Sequence, residues 1–489
     1  MENVSESRTP PPQSYGPVPS PRQLGWHRRE FYGFLHFTTN TFTDKEWGYG
    51  DESPQVFNPT AFDADQIVST AAEAGMAGLI LTCKHHDGFF LWPSKYTEHS
   101  VKNSPWREGR GDVVRDVSNA CRKHQIGFGV YLSPWDRNHA AYGHPTYLEY
   151  FRNQLQELTT AYGDLFEVWF DGANGGDGFY GGANEVRSID RQTYYDWQIT
   201  WRIVRDNQPH AVMFSDAGPD VRWVGNERGI AGNPCWSTVN EGLLFPGIDE
   251  KSFKTRLSGK RVDAWDSPRA MLNAGDRQGD SWLPAECDVS IRPGWFYHSA
   301  EDEKVRTPEN LLDLYFKSVG RGVSLLVNLP PDRRGLIHEN DIQSLQGLRH
   351  RLDEIFGLDL AKGARSAASS IRGGVKQFGP ANVIDGNPET YWATDEDIHA
   401  PELTFDFPKP ITFNVIKLRE FLPLGQRIDR FAIDFDEGGS WREWCCEAAI
   451  GACRLIRGQD CRTTRIRLRI VEAPCVPPFP NLASSMIQS

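Results

Sequence analysis

No stretch of the 489 residues approaches the roughly 18 consecutive apolar positions that a membrane-crossing helix needs, so no membrane partner is expected. Basic residues are in the minority: 53 Lys and Arg stand against 65 Asp and Glu, a formal net charge of −12. A nucleic-acid binder needs a basic face, so that class of partner is not expected either. Cysteine is sparse, with nine residues, and none has zinc-site spacing. Cys83, Cys121, Cys235 and Cys287 are scattered, whereas Cys445, Cys446, Cys453, Cys461 and Cys475 crowd the C-terminal fifth, which leaves room for one or two disulfides there. The first 21 residues are polar and Pro-rich and have no apolar signal-peptide core. As written, the chain reads as intracellular or as trimmed at its start. No Gly-rich dinucleotide loop follows the first strand candidate, and no cofactor is expected.

Hydrophobic residues make up 39% and charged residues 24%, the balance of a globular protein. The length predicts two or three domains. Residues 1–24, rich in proline, read as an extended lead-in. Over 25–358 short apolar runs alternate with longer helical segments. The strand candidates are 32–37, 78–83, 127–133, 165–171, 211–215, 287–291 and 323–329, and the helix candidates 63–74, 113–124, 145–162, 190–207, 308–320 and 339–355. Strand–helix alternation implies parallel pairing through crossovers, as in a closed barrel or an open doubly wound sheet. The strand candidates end in His36, His85 with His86, Tyr131, Asp171 and Asp216. Barrel enzymes gather their site at the C-terminal strand ends, which favours a (β/α)8 barrel. Residues 359–489 lose the helical period and show short strand-like runs between turn residues, as in an all-β sandwich or jelly roll. The last stretch, 474–489, carries four prolines and reads as unsuited to a closing strand.

The run Phe166-Glu167-Val168-Trp169-Phe170-Asp171-Gly172 carries the most chemistry: an apolar strand delivers a carboxylate at its tip. Further carboxylates follow in Gly225-Asn226-Glu227 and in Glu286-Cys287-Asp288. Adjacent His85 and His86 would point to opposite faces of a strand, so a shared metal site is not expected. They suit hydrogen bonding to hydroxyls instead. Histidines, aromatics and two carboxylates at a barrel mouth make a pocket for a polyhydroxylated ring and fit glycoside hydrolysis.

Five segments together resemble the α-L-fucosidases of glycoside hydrolase family 29: His36-Phe37-Thr38-Thr39-Asn40-Thr41-Phe42, Glu46-Trp47-Gly48, Lys84-His85-His86-Asp87-Gly88-Phe89, Tyr131-Leu132-Ser133-Pro134-Trp135 and Trp169-Phe170-Asp171-Gly172. The segment from Gly218 to Glu227 resembles the subgroup that prefers α-1,3 and α-1,4 linkages on branched glycans. Separately, Asp385-Gly386-Asn387-Pro388-Glu389-Thr390-Tyr391-Trp392 resembles the opening of a discoidin-like, galactose-binding module. The first resemblance implies a retaining exo-hydrolase acting on fucosylated oligosaccharides or glycoproteins in an extracellular or lysosome-like compartment. Asp171 would be its nucleophile and Glu227 its acid/base, with Glu286 the alternative. It implies substrate contacts from His36, Glu46, Trp47, His85, His86, Tyr131 and Trp169. Asp220, Arg222 and Trp223 are candidates for the sugar and its neighbour, with salt bridging a rival role for the first two. Trp47, Trp223 or Trp295 would wall the fucose methyl group. A catalytically silent fucose-binding protein and another retaining exo-glycosidase are the competing readings, and the oligomeric state stays open. Trp392 is expected in a core rather than as a sugar platform. Asn3-Val4-Ser5 is a glycosylation sequon that matters only in a secreted chain.

Overall fold

The computed structural model describes residues 9–257, 267–398, 400–475 and 481–483; the Asn3 sequon lies outside them. Eight parallel strands close into a barrel in chain order: β1 (Phe31–Leu35), β2 (Gly78–Lys84), β3 (Gly127–Leu132), β4 (Glu167–Trp169), β5 (Val212–Ser215), β6 (Val221–Trp223), β7 (Ala285–Ser290) and β8 (Ser324–Asn328). Each strand pairs with its sequence neighbours, and β8 returns to β1 in the register Phe31↔Leu325. These strands are buried along nearly their whole length. Parallel strands covered on both faces read as continuous apolar runs for this reason.

Side-chain alternation sorts the strand residues into two cores. Leu79, Leu81, Val130, Val168, Cys287 and Val327 point outward and pack under the helices. Tyr32, Phe34, Ile80, Tyr131, Trp169, Phe214, Val221 and Leu326 point inward and fill the lumen with Trp26 and Phe166. The helices start where capping chemistry allows. Asp63 accepts backbone N–H groups of Asp65 and Gln66 before α1 (Ala64–Glu73), Asp112 accepts that of Arg115 before α2 (Val113–Lys123), and Thr307 with Pro308 opens α3 (Pro308–Lys317).

Two features of the barrel depart from the sequence expectation. Strand β6, three residues long, was not among the candidates; it follows residues 216–220, which carry Gly218 and Pro219. That short connection returns the chain with no helix, and β6 pairs with β5 in the register Phe214↔Val221. The helix expected from residue 190 starts at Trp197, because Asp196 sits in the left-handed region at φ 44.

The C-terminal module is an antiparallel sheet of β9 (Arg365–Ala368), β10 (Glu402–Arg419), β11 (Arg430–Glu437), β12 (Ser440–Ala448) and β13 (Arg454–Glu472), ordered β9-β10-β13-β11-β12. Long strands β10 and β13 change register twice, at bulges that bend a sheet. Asn481–Ala483 pairs with Lys417–Arg419, so the Pro-rich end does add strand residues; the prolines fall before the pairing. Trp392 is fully buried and its Nε1 donates to Ser370 O at 2.9 Å, a core position. None of the nine cysteines is bonded to another, so the disulfides the C-terminal crowding allowed are not formed. Residues 10–15 run against this module: Arg372 donates to Pro10 O at 2.7 Å, and Tyr15 N donates to Leu424 O at 3.0 Å.

Candidate active site

A cavity of about 620 Å3 opens at the C-terminal ends of the strands. His36 follows β1, His85 and His86 follow β2, Trp169 and Asp171 come from β4, Asp216 follows β5, and Trp223 and Asp288 come from β6 and β7. Glu46, Trp47, Glu227 and Trp295 line it from loops. The insertion between β6 and β7 adds Gly247, Ile248, Asp249, Glu250, Pro268, Arg269 and Leu272.

Asp171 is fixed from two sides. Ala173 N donates to Oδ1 at 2.7 Å and the Tyr131 hydroxyl to Oδ2 at 2.9 Å. Its side chain is 24% exposed, and His86 Nε2 lies 3.9 Å from Oδ2. Burial lifts the Asp171 carboxyl above its ordinary range, against the two donors that favour its charge. A Cβ at Gly172 would come within 2.9 Å of Asp216 Oδ2 and push that side chain aside. Asp216 accepts Gly247 N at 2.9 Å. Burial and then the neighbouring Asp171 push Asp216 up to about 6.

The expectation that His85 and His86 face opposite sides does not hold, for a local reason. Strand β2 ends at Lys84, and the chain turns, Gly88 N donating to His85 O at 3.1 Å. Gly88 makes this turn at φ +73, where a Cβ would meet Asp136 Oδ1 at 2.5 Å. Both rings then reach the cavity, with centroids 4.1 Å apart. Their protonation follows from their partners. The amide nitrogen of Asn328 is committed to Ser290 Oγ and Trp295 O, so Asn328 Oδ1 accepts from His36 Nδ1 at 2.8 Å. The Ser133 hydroxyl donates to Trp135 O and accepts from His86 Nδ1 at 2.7 Å. Both imidazoles therefore keep Nε2 as an acceptor. Burial pulls His36 and His86 down to about 3 and His85 well below its ordinary value, so all three are neutral.

Glu46 accepts Trp295 N at 2.8 Å and Phe296 N at 3.1 Å, with His298 Nε2 at 2.7 Å. Its carboxylate thus holds the loop that carries Trp295, whose Nε1 donates to Glu227 Oε2 at 3.3 Å. Burial, then the negative Asp171 and Glu46, raise the Glu227 carboxyl; the Trp295 N–H and Arg269 act against them. Trp47 is 52% exposed at the rim, edge-on to His86. Trp169 stacks on Phe214 at 4.1 Å and on Tyr131 at 5.3 Å.

Four residues named from the sequence as substrate contacts or as the acid/base do not line the cavity; Tyr131, fully buried, meets it only through its hydroxyl on Asp171. Arg222 alternates with the inward Val221 and Trp223, so it points out of the barrel and donates to Leu272 O, Leu283 O and Trp236 O. Asp220 is 4% exposed and is held by Arg205 and Met213 N. Glu286 is fully buried in the lumen beneath Trp169 and does not line the cavity. Sequence reasoning placed Asp216 among the strand-end groups without giving it a role, and passed over Asp288 and the rim groups Arg191, Asp249, Glu250 and Arg269. Asp288 had a usable signal, two residues beyond Glu286 and hence on the same strand face. It is 4% exposed, accepts Trp223 Nε1 at 2.8 Å, and is raised well above the carboxylate range by burial and by Glu227.

A family model described as Alpha-L-fucosidase matches residues 15–233. Alpha-L-fucosidase 1 of Arabidopsis thaliana is 43% identical over 462 residues, covering 94% of this chain and 85% of its own. A crystal structure of a glycoside hydrolase 29 family member from an unknown rumen bacterium is 41% identical with a TM-score of 0.83, over 98% of this chain and 78% of that one. A Ruminococcus gnavus GH29 fucosidase in complex with fucose is 31% identical with a TM-score of 0.85, over 98% and 97% of the two chains. The barrel with its cavity and these likenesses along nearly the whole length agree: the chain belongs to the α-L-fucosidases, the glycoside hydrolases of family 29.

Proposed function

We propose that the chain is a retaining, exo-acting α-L-fucosidase that removes terminal α-1,3- and α-1,4-linked fucose from branched oligosaccharides or glycoproteins. The observation that carries this reading is one cavity holding two carboxyls with opposite tasks. Asp171 sits at a strand tip with a donor on each oxygen, and Glu227 lies on a loop with its proton favoured. In a double displacement Asp171 attacks the anomeric carbon while Glu227 protonates the departing glycosidic oxygen. Water, deprotonated by Glu227, then displaces Asp171 and releases fucose with its configuration retained. The Nε2 acceptors of His36 and His86 suit ring hydroxyls, and Phe34, Trp223 and Trp295 offer apolar faces for the methyl group. The linkage preference rests on the likeness of residues 218–227 to one subgroup. We assign 25–358 to the catalytic barrel, 1–24 to an N-terminal extension and 359–489 to a galactose-binding-like module.

The test is release of free fucose from a branched fucosylated trisaccharide, which also separates hydrolysis from binding alone. Asp171→Asn should lose roughly a thousandfold or more of the rate with its thermal melt unchanged. Azide should restore turnover of an activated aryl fucoside to Glu227→Ala. Rescue of Glu286→Ala instead would move the acid/base role, and an active Asp171→Asn enzyme would overturn the nucleophile.

A further inference from the structure

Below the cavity the lumen holds two carboxyl groups that this mechanism does not use. Glu167 on β4 stands two residues before Trp169, and Glu286 on β7 two residues before Asp288, so both face inward. Both are fully buried. Trp26 Nε1 donates to Glu167 Oε2 at 3.1 Å. Trp169 Nε1 donates to Glu286 Oε1 at 2.8 Å, and the Tyr32 hydroxyl donates to Glu286 Oε2. Glu167 Oε1 has no donor facing it, and the Glu167 and Glu286 side chains are hydrogen-bonding neighbours. Arg29 is the cation acting on Glu167, and it is spent on Ala77 O at 2.8 Å and the Phe166 ring at 4.6 Å.

Two touching carboxylates in an apolar lumen do not both ionise. The donors decide which keeps the proton. Each oxygen of Glu286 already accepts one, whereas Glu167 has one oxygen filled and one empty. A proton on Glu167 Oε1 satisfies both groups. We propose that Glu167 is a neutral acid donating from Oε1 to an ionised Glu286, and that Glu286 is thereby a positioning residue for the sugar pocket. Holding three donors, Glu286 pins the indole of Trp169. Trp169 lines the cavity and stacks on Tyr131, whose hydroxyl fixes Asp171. Burial, followed by the negative charge of Glu286, holds the Glu167 proton far above the ordinary carboxylate range.

The positioning half of this inference rests on the fucosidase reading; the protonation does not, and two variants separate them. Glu167→Gln replaces O–H by N–H and keeps an acceptor for Trp26, so kcat and KM on an aryl fucoside should stay within about twofold of wild type. Its infrared difference spectrum against wild type should show the loss of one protonated-carboxyl carbonyl band. Glu286→Gln sets an amide donor against existing donors and should cost about tenfold or more in kcat/KM. Should Glu286→Gln not fold, Glu167→Leu, which removes the donor, should lose the activity that Glu167→Gln keeps. The protonation is wrong if Glu167→Gln leaves the band in place or is as damaging as Glu286→Gln. Positioning is wrong if Glu286→Gln only melts earlier, with kcat and KM unchanged. If the wild-type protein releases no fucose, the fucosidase reading and the positioning role fall together, and the infrared band still decides where the proton is.

Discussion

Trp295→Phe removes one N–H from the site and leaves the ring's apolar body, so it measures how Glu227 holds its proton. The loop stays anchored, because Glu46 binds it through the backbone N–H groups of residues 295 and 296. A hydrogen bond to a charged group is worth roughly 1.5–3 kcal/mol. Here the contact is long at 3.3 Å, and the Glu227 side chain, though its carboxyl is crowded by the cavity wall, still reaches water at the mouth, so the contact contributes about 0.7 kcal/mol. At 1.36 kcal/mol per unit that is about half a pH unit. The sign follows from which form the indole favours. An N–H donor stabilises ionised Glu227; without it the carboxyl holds its proton more tightly. The acid/base must be protonated for the first displacement, so the basic limb of kcat/KM should move up by about half a unit. The acidic limb, set by ionisation of Asp171, should stay where it is. The assay is hydrolysis of an aryl α-L-fucoside over about pH 4–9. Some rise in KM is expected too, since the ring lies 5.1 Å from His36. A basic limb that moves down, or an acidic limb that moves instead, would refute the assignment of Glu227.

Tyr131→Phe removes a donor that favours ionised Asp171, so the acidic limb should move up and turnover at low pH should fall; a pH profile reads this directly. Arg222→Met strands three backbone carbonyls and should cost about 3 kcal/mol of stability, seen as an earlier urea transition, while trisaccharide KM relative to aryl-fucoside KM stays unchanged. A selective rise in trisaccharide KM would return Arg222 to the substrate. Buried His27 titrates at about 4 rather than 6.5 and accepts Trp282 Nε1 at 3.3 Å. Its folded value is depressed, so the unfolded chain takes the proton first and stability falls as pH drops from 6.5 to about 4. The loss is at most about 3 kcal/mol. His27→Gln should therefore soften the acid dependence of the urea midpoint, and an unchanged slope would show His27 to be charged or exposed when folded.

The barrel was legible because its strands are covered on both faces and so appear as short apolar runs, and because helices such as 64–73 and 113–123 begin at capping aspartates. Strand β6 was not, since it is only three residues long and follows the Gly218-Pro219 turn closely, so its pairing is set by the closed barrel and leaves no periodic signal of its own. Among site residues, those at the ends of recognised strands were found, namely His36, His85, His86, Asp171 and Asp216, the last without a role. Those on the insertion between β6 and β7, such as Asp249 and Arg269, have no local signature; only the folded chain brings them to the cavity. Arg222 and Asp220 were drawn in by standing inside a telling segment, and strand alternation, which would have turned Arg222 outward, depends on β6 having been seen.

Sixteen Trp in the sequence decide nothing by number, but the lumen and the cavity above it show one use for four of them. Trp26, Trp169, Trp223 and Trp295 each give their N–H to a carboxyl: Glu167, Glu286, Asp288 and Glu227. An indole donates without carrying charge. It can fix a carboxyl oxygen in place while leaving the group free to keep a proton, which a cation would drive off. The same molecule supplies the contrast. Buried Asp136 faces Lys84 at 3.2 Å, and that charge holds it below the ordinary range in spite of burial. Asp434, gripped by Arg467 and Arg469, is likewise lowered. The four carboxyls held by indoles in the lumen and cavity are all raised; outside the site Trp92 also donates to a carboxyl, that of Glu157, at 2.8 Å. A pocket that must position carboxyls and still let one of them act as an acid is served by neutral donors, and substituting arginine for any of these tryptophans would lower the pKa the chemistry depends on even where the geometry survived.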